Sequence, residues 1–147
     1  MVNLFSERLL LTLWVGSLCA IGYIAVPMAF ATLGDVSLAG NYAGKLFSAV
    51  NILGLGCGIA LLLSKFISSR KQVFTLWRFW VLILMFILTL VFSIYLQPEM
   101  ASIKPLISQD GALIERFGDL HIISKNLYLF ITLLGLALVV STDKVEA

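Results

Sequence analysis

His121 is the one histidine of the chain, and it stands in the stretch Phe117-Gly-Asp-Leu-His-Ile-Ile-Ser-Lys-Asn-Leu-Tyr128. An imidazole can take up a proton near neutral pH or ligate a metal, and the Lys125 ammonium one helical turn on can hold an anion. At 100° per residue, Phe117, His121, Ser124, Lys125, Tyr128, Thr132 and Gly135 fall on one helix face, and Leu, Ile, Phe and Val occupy the others. In water that pattern is inside-out. In a bilayer it is a helix turning its polar and small groups toward neighbouring helices. Metal chemistry would draw on His121, Cys19, Cys57, Met28, Met85 and Met100, a soft set better suited to Cu(I) than to zinc. Neither cysteine sits in a C-x-x-C pair, and both fall near mid-membrane, away from His121 in depth. His121 is thus a weak metal candidate, and no cofactor is expected. A haem between two histidines is excluded by count, whereas a single axial ligand is not. No nucleophile with a neighbouring base, phosphate-binding loop or zinc-protease motif occurs, so no catalytic residue is assigned.

The elements that must position these residues are membrane helices. Apolar residues make up 61% of the 147 positions and charged ones 12%, against roughly 45–50% and 25% in soluble domains. Four runs are long enough to cross a hydrocarbon core, which takes about 20 residues. They cover about 9–33, 46–64, 77–96 and 120–141. The predicted fold is all-α, an antiparallel four-helix transmembrane bundle in a single domain over 1–147, and the first run is read as an uncleaved span. The net charge of +2 is small and scattered, so nucleic acid is not a partner; the bilayer is. A homo-oligomer or a membrane-protein partner fits such a bundle equally well.

In the first span Thr12, Gly16, Ala20, Tyr23, Pro27 and Phe30 share a face, where Gly16 would let a neighbouring backbone approach and Pro27 would kink the helix. Residues 34–45 read as a Gly/Ala/Ser-rich loop. Gly54 and Gly58 form a G-x-x-x-G pair in the second span, on the face of Asn51, and pack inside the bundle; Gly135 serves the same purpose in the fourth. Residues 64–78 carry Lys65, Arg70, Lys71 and Arg78 with no acid, which by the positive-inside rule places this loop and both termini in the cytoplasm. Phe74, Trp77, Phe79 and Trp80 form an aromatic belt there. Residues 97–119 read as the longest connection, with Ala112 to Leu120 a helical extension of the last span. No internal repeat is evident.

With that orientation, Tyr23, Asn51, Tyr95, Gln97, His121, Ser124 and Lys125 come to one depth in the outer leaflet, with Tyr128 just below. The functional reading is a small polar pocket open to the outside: His121, Ser124, Lys125, Tyr128, Asn51, Tyr23 and Tyr95, with His121 as proton acceptor or ligand. The structural alternative has His121 bonded to a loop carbonyl while Lys125 snorkels to the interface.

Trp14-x-Gly16 followed by Pro27-x-x-Phe30, Ala39-Gly40…Ala43-Gly44-x-Leu46-Phe47, and Phe117-x-x-Leu120-His121-x-x-Ser124 together resemble the bacterial relatives of transmembrane protein 205, a four-span family of unknown function. Asn126 departs from the spacing of the last motif. The resemblance implies an integral membrane protein of no established activity; the eukaryotic member is linked to platinum-drug resistance, and loosely similar four-helix families handle copper or haem. The expectation is a multi-pass protein of a bacterial inner membrane, non-enzymatic, serving as an accessory or a small-solute or metal-handling factor. The alternative is a haem- or metal-binding redox enzyme with His121 as ligand.

Overall fold

The computed structural model describes residues 2–68, 74, 76–108 and 110–141. Among them there is no strand, and four helices are long and apolar enough to cross a membrane: Ser6–Thr32, Val36–Ile67, Trp77–Leu106 and Gly111–Val140. The first span is built of α1 (Val2–Ala20), a π-helical turn (Ile21–Ala25) and α2 (Val26–Thr32); the second is α3 (Val36–Ser68). The third comprises α4 (Trp77–Val91), a second π-turn (Phe92–Leu96), α5 (Gln97–Ile103) and a 3₁₀ turn (Lys104–Leu106); the fourth is α6 (Gly111–Val140). Each span packs on the next and the first on the fourth, so the bundle closes in chain order. The first and last described residues, Val2 and Ser141, lie at one end of it, the termini end; the opposite end is the far end.

The helices run further than the apolar runs that seeded them. The expected loop over 34–45 is almost entirely helical, and only Leu33 to Asp35 connect the first two spans. Gly34 takes a left-handed φ of 66°, which a residue without Cβ adopts cheaply, and Asp35 caps the new helix by accepting from Ser37 N at 2.7 Å and Leu38 N at 3.1 Å. The second connection is equally shortened. Pro98 does not stop the third helix, because Pro at the start of α5 follows a π-turn that absorbs its missing N–H. Asp110 then caps α6 by accepting from Ala112 N at 2.9 Å. Lys104 ties the end of the third span to the start of α3, donating to Asn41 Oδ1 at 2.7 Å and Ser37 O at 3.3 Å across the Cα of Gly40.

The interior is assembled by close approach, since lipid tails offer no hydrophobic gain for one helix meeting another. Trp14 is fully buried at its centre, against Gly54 and Gly58 of α3. A Cβ at Gly54 would overlap the Trp14 indole nitrogen, and one at Gly58 would sit 2.7 Å from Phe86. A Cβ at Gly135 would meet Val15 at 2.6 Å. Leu11, Leu61, Leu82, Met85 and Leu138 complete the core, and Ile52, Ile94 and Leu133 are among the side chains turned to lipid.

The first span faces the opposite way from its expected face. Thr12, Gly16, Ala20, Tyr23, Pro27 and Phe30 are all exposed, and a Cβ at Gly16 would meet nothing within 4 Å. The face turned inward is Leu11, Trp14, Val15 and Leu18. A large ring set against two glycines of α3 achieves the close fit that small residues on the first span would otherwise supply.

Candidate functional site

Two polar sets lie inside the bundle, one toward each end. At the termini end, Glu7 Oε2 meets Lys65 Nζ at 3.1 Å and Glu7 Oε1 meets Arg78 Nη2 at 3.3 Å. All three side chains are at most 12% exposed. Arg78 also donates to the Leu138 carbonyl at 2.9 Å, to Ser141 Oγ at 2.8 Å and to the Ser141 carbonyl. These carbonyls belong to the C-terminal turn of α6, whose last C=O groups lack helical donors and carry the negative end of the helix dipole. The cluster therefore balances two cations with a carboxylate and a helix terminus, and it clamps all four spans. Sequence reasoning read Lys65 and Arg78 as topology marks and Glu7 as part of a polar lead. The missed signal was an acid and two bases standing at the same edge of three different apolar runs. Arg70 and Lys71, the remaining bases of that segment, lie outside the described residues. Of the aromatic belt, Phe74, Trp77 and Trp80 are exposed, whereas Phe79 is buried.

The second set forms a layer in the far half. Tyr23, Asn51, Phe92 and Tyr128 lie 13 to 16 residues along their helices from Glu7, Lys65, Arg78 and Ser141, about 20–24 Å at 1.5 Å per residue. Each span supplies one ring to it. Tyr128 stands edge-on to Phe47 at 5.1 Å between centroids and tilted against Phe92 and Tyr23, each at 6.2 Å; Phe47 and Phe92 are 6.1 Å apart. Beside the rings, Asn51 Nδ2 donates to Gln97 Oε1 at 3.1 Å, and Gln97 Nε2 donates to the Gly44 carbonyl at 2.7 Å. Ser124 is buried, with its hydroxyl 3.7 Å from Met100 Sδ. Tyr128 donates to the Leu18 carbonyl at 2.7 Å, and its ring lies so close to Gly22 that any side chain there would overlap it.

Both π-turns stand in this layer, each ending two residues before a proline, Pro27 and Pro98. The ring of proline at position i clashes with the carbonyl of i−4 and offers no N–H, so the helix widens by one residue just before it. The Val26 N–H bonds Ile21 O and the Gln97 N–H bonds Phe92 O, both five residues back. The Gly22 and Ser93 carbonyls thus receive neither the usual donor four residues on nor the proline nitrogen five residues on. Spans one and three carry the same device at the same offset, and spans two and four both open on an aspartate cap. The chain is two helical hairpins built on one plan, although its sequence shows no repeat.

The residues expected to line one pocket divide between inside and outside. Asn51, Ser124 and Tyr128 are buried, and Tyr23 joins them by ring contact while remaining 48% exposed. Tyr95 is 57% exposed on the outer surface of the third span. His121 is exposed and stacks on Phe117 of its own helix at 6.2 Å, and Lys125 is exposed as well. The reason lies in the first span. Its α1 packs on α6, but beyond the π-turn α2 leans on α3 and leaves α6. The flank of α6 carrying His121 and Lys125 is exposed there, and those two side chains stand two turns and one turn beyond Tyr128, at the rim of the layer. Among the described residues no three His, Cys, Asp or Glu side chains come together as a metal site. Cys57 is buried and Cys19 half-buried, both as free thiols. An open apolar groove of about 240 Å³ lies elsewhere, on the surface between the second and third spans, lined by Leu62, Leu63, Phe66, Phe79 and Ile83.

No curated protein and no solved structure matches this chain. A family model does, over residues 9–107, which takes in the first three spans, both π-turns and the residues that form the Asn51–Gln97 pair. The chain is a multi-pass membrane protein of four helices, and it belongs to the family described as a domain of unknown function, DUF4149.

Proposed function

We propose that this protein is a non-enzymatic small-solute or metal-handling factor, or an accessory subunit for one, that takes its ligand at the far-half layer. The observation supporting this reading is the uncharged, part-buried hydrogen-bonded chain Asn51–Gln97–Gly44 with the buried Ser124 and Tyr128 at one depth. Interhelical polar contacts in membranes average only about 0.6 kcal/mol, so apolar packing would hold the helices nearly as well. His121 and Lys125 at the rim supply a base and a cation where a solute would enter. Kinship with the bacterial relatives of transmembrane protein 205 fits the same role. The membrane would be a bacterial inner membrane with the termini end in the cytoplasm, an orientation that rests on the base-rich segment 64–78. Ser108→Cys in a background without Cys19 and Cys57 tests it: an impermeant thiol reagent should label this site in intact spheroplasts.

The functional test is growth of cells producing the protein in graded copper or zinc. His121→Ala and Lys125→Ala, at unchanged expression, should abolish any tolerance that the wild type confers. Wild-type behaviour in both would remove the rim from the reading. A Soret band in the purified protein, lost in His121→Ala, would replace it with the redox alternative.

A further inference from the structure

We propose that the four-ring layer is a movable closure: α2 and α5 pivot on the two proline-linked π-turns, and the Tyr128–Leu18 hydrogen bond is the latch that holds the rings shut. This rests on reading the far-half layer as a solute site, since it names what opens and closes that site.

Three independent features converge on it. Apart from the 3₁₀ turn that ends the third span, the two π-turns are the only breaks in helical register within the described spans, and they stand at one depth on either side of α3. Kinks in long helices form at prolines and π-turns, and a pair of interruptions at corresponding positions in two halves of a membrane protein points to a working site. Each turn also carries or begins with a ring of the layer: Tyr23 lies within the first, and Phe92 opens the second. A swing of either far segment therefore moves a ring. Tyr128 touches both turns at once, by its contacts with Gly22 and Tyr23 on one side and its packing on Phe92 on the other, and its hydrogen bond to Leu18 fixes it to α1 just before the first turn.

The segments beyond the turns are short and bury little. α2 is seven residues long and leans on α3, with Ala29 its only buried residue. α5 is also seven residues, and Ile103 is its only buried one. Backbone freed in a membrane helix must find other partners. The Gly22 and Ser93 carbonyls have no donor at the usual position in their own helices, so returning to α-helical register costs them no existing hydrogen bond.

Cys19 is the natural reporter, because it sits one turn below Tyr23, on the termini side of the rings. The full chain carrying Cys57→Ser is reconstituted in nanodiscs of phosphatidylcholine and phosphatidylglycerol. It is then exposed to the cationic thiol reagent trimethylammonium-ethyl methanethiosulfonate, which needs a water path to react. Tyr128→Phe keeps the ring and removes the latch, and should raise the Cys19 labelling rate roughly five- to tenfold, the factor for one neutral hydrogen bond. Adding Pro27→Ala and Pro98→Ala, which allow both helices to close their ladders, should return it toward the wild-type rate. Equal labelling of Tyr128→Phe and wild type overturns the latch. A rate that stays high in the triple variant overturns the pivots. Should Tyr128→Phe fold poorly, Tyr23→Ala opens the exposed edge of the layer instead: raised labelling supports the closure, and unchanged labelling overturns it. No solute enters this assay, so normal gating with indifferent rim variants would sink the solute reading alone, and the reverse outcome would sink the closure alone.

Discussion

The two polar sets inside this bundle are made of different chemistry. At the termini end three charges from three spans are clamped with the last turn of the fourth. In the far half the buried polar groups among the described residues carry no charge, only amides, hydroxyls and rings, and the main chain itself is broken in two helices. Charges in low dielectric tolerate little displacement, since separating them exposes each to a large desolvation cost. Neutral groups exchange partners at small cost. The charged end therefore suits a fixed base and the neutral end suits rearrangement, so a protein that must hold its shape while admitting a solute gains from keeping the two apart.

The comparison can be broken most forcefully at the base. Arg78→Ala leaves Glu7 and Lys65 without their guanidinium and the α6 terminus without its donor, and should cost about 3–5 kcal/mol. Denaturant unfolding in detergent would register that as a large fall in midpoint; a change under about 1 kcal/mol would mean the cluster is no clamp. Next in size is Gly22→Ala, where the new Cβ overlaps the Tyr128 ring. It should cost about 1–3 kcal/mol by the same measurement. Gly16→Ala is its counterpart on the open face and should be neutral or stabilising by up to about 1 kcal/mol, since nothing crowds it and alanine is the better helix former. Smaller still is the coupling between Asn51 and Gln97. A double-mutant cycle with Asn51→Ala and Gln97→Ala should return about 0.6 kcal/mol, and a value above about 2 would place this pair with the charged end rather than the neutral one. The least effect is expected from Arg116→Ala. Its ion pair with Glu99 is exposed at the far end, so its loss should stay within about 0.5 kcal/mol and shrink with added salt.

Much of the architecture was readable from the residues. Four apolar runs announced four spans, and of the stripe Phe117, His121, Ser124, Lys125, Tyr128, Thr132 and Gly135 the members Ser124, Tyr128, Thr132 and Gly135 are the inner face of the last one, whereas His121 and Lys125 are exposed. The first span was misread because Thr12, Gly16 and Ala20 look like a packing face, and its true inner face depends on two glycines in α3 that make room for Trp14. The loops were misread because Gly, Ala and Pro weaken helices only on average. Asp35 and Asp110 as caps, together with the π-turn before Pro98, carried helix through both segments. Of the candidate pocket, the depth of its residues was legible from their distance to the ends of the runs, but which of them turn inward was not.

What the sequence determined alone is the solvent: a chain this apolar and this sparing of charge, in four runs each long enough to span hydrocarbon, must bury its backbone polar groups in helices within a membrane. Only the tertiary structure decided that Glu7, 71 residues away in sequence, would meet Arg78, and that α2 would leave α6 and uncover His121 and Lys125. The physical reason is that a hydropathy pattern is a property of one helix and its surroundings. Pairing, facing and parting are properties of two, set by side-chain shapes and main-chain breaks that neither helix carries alone.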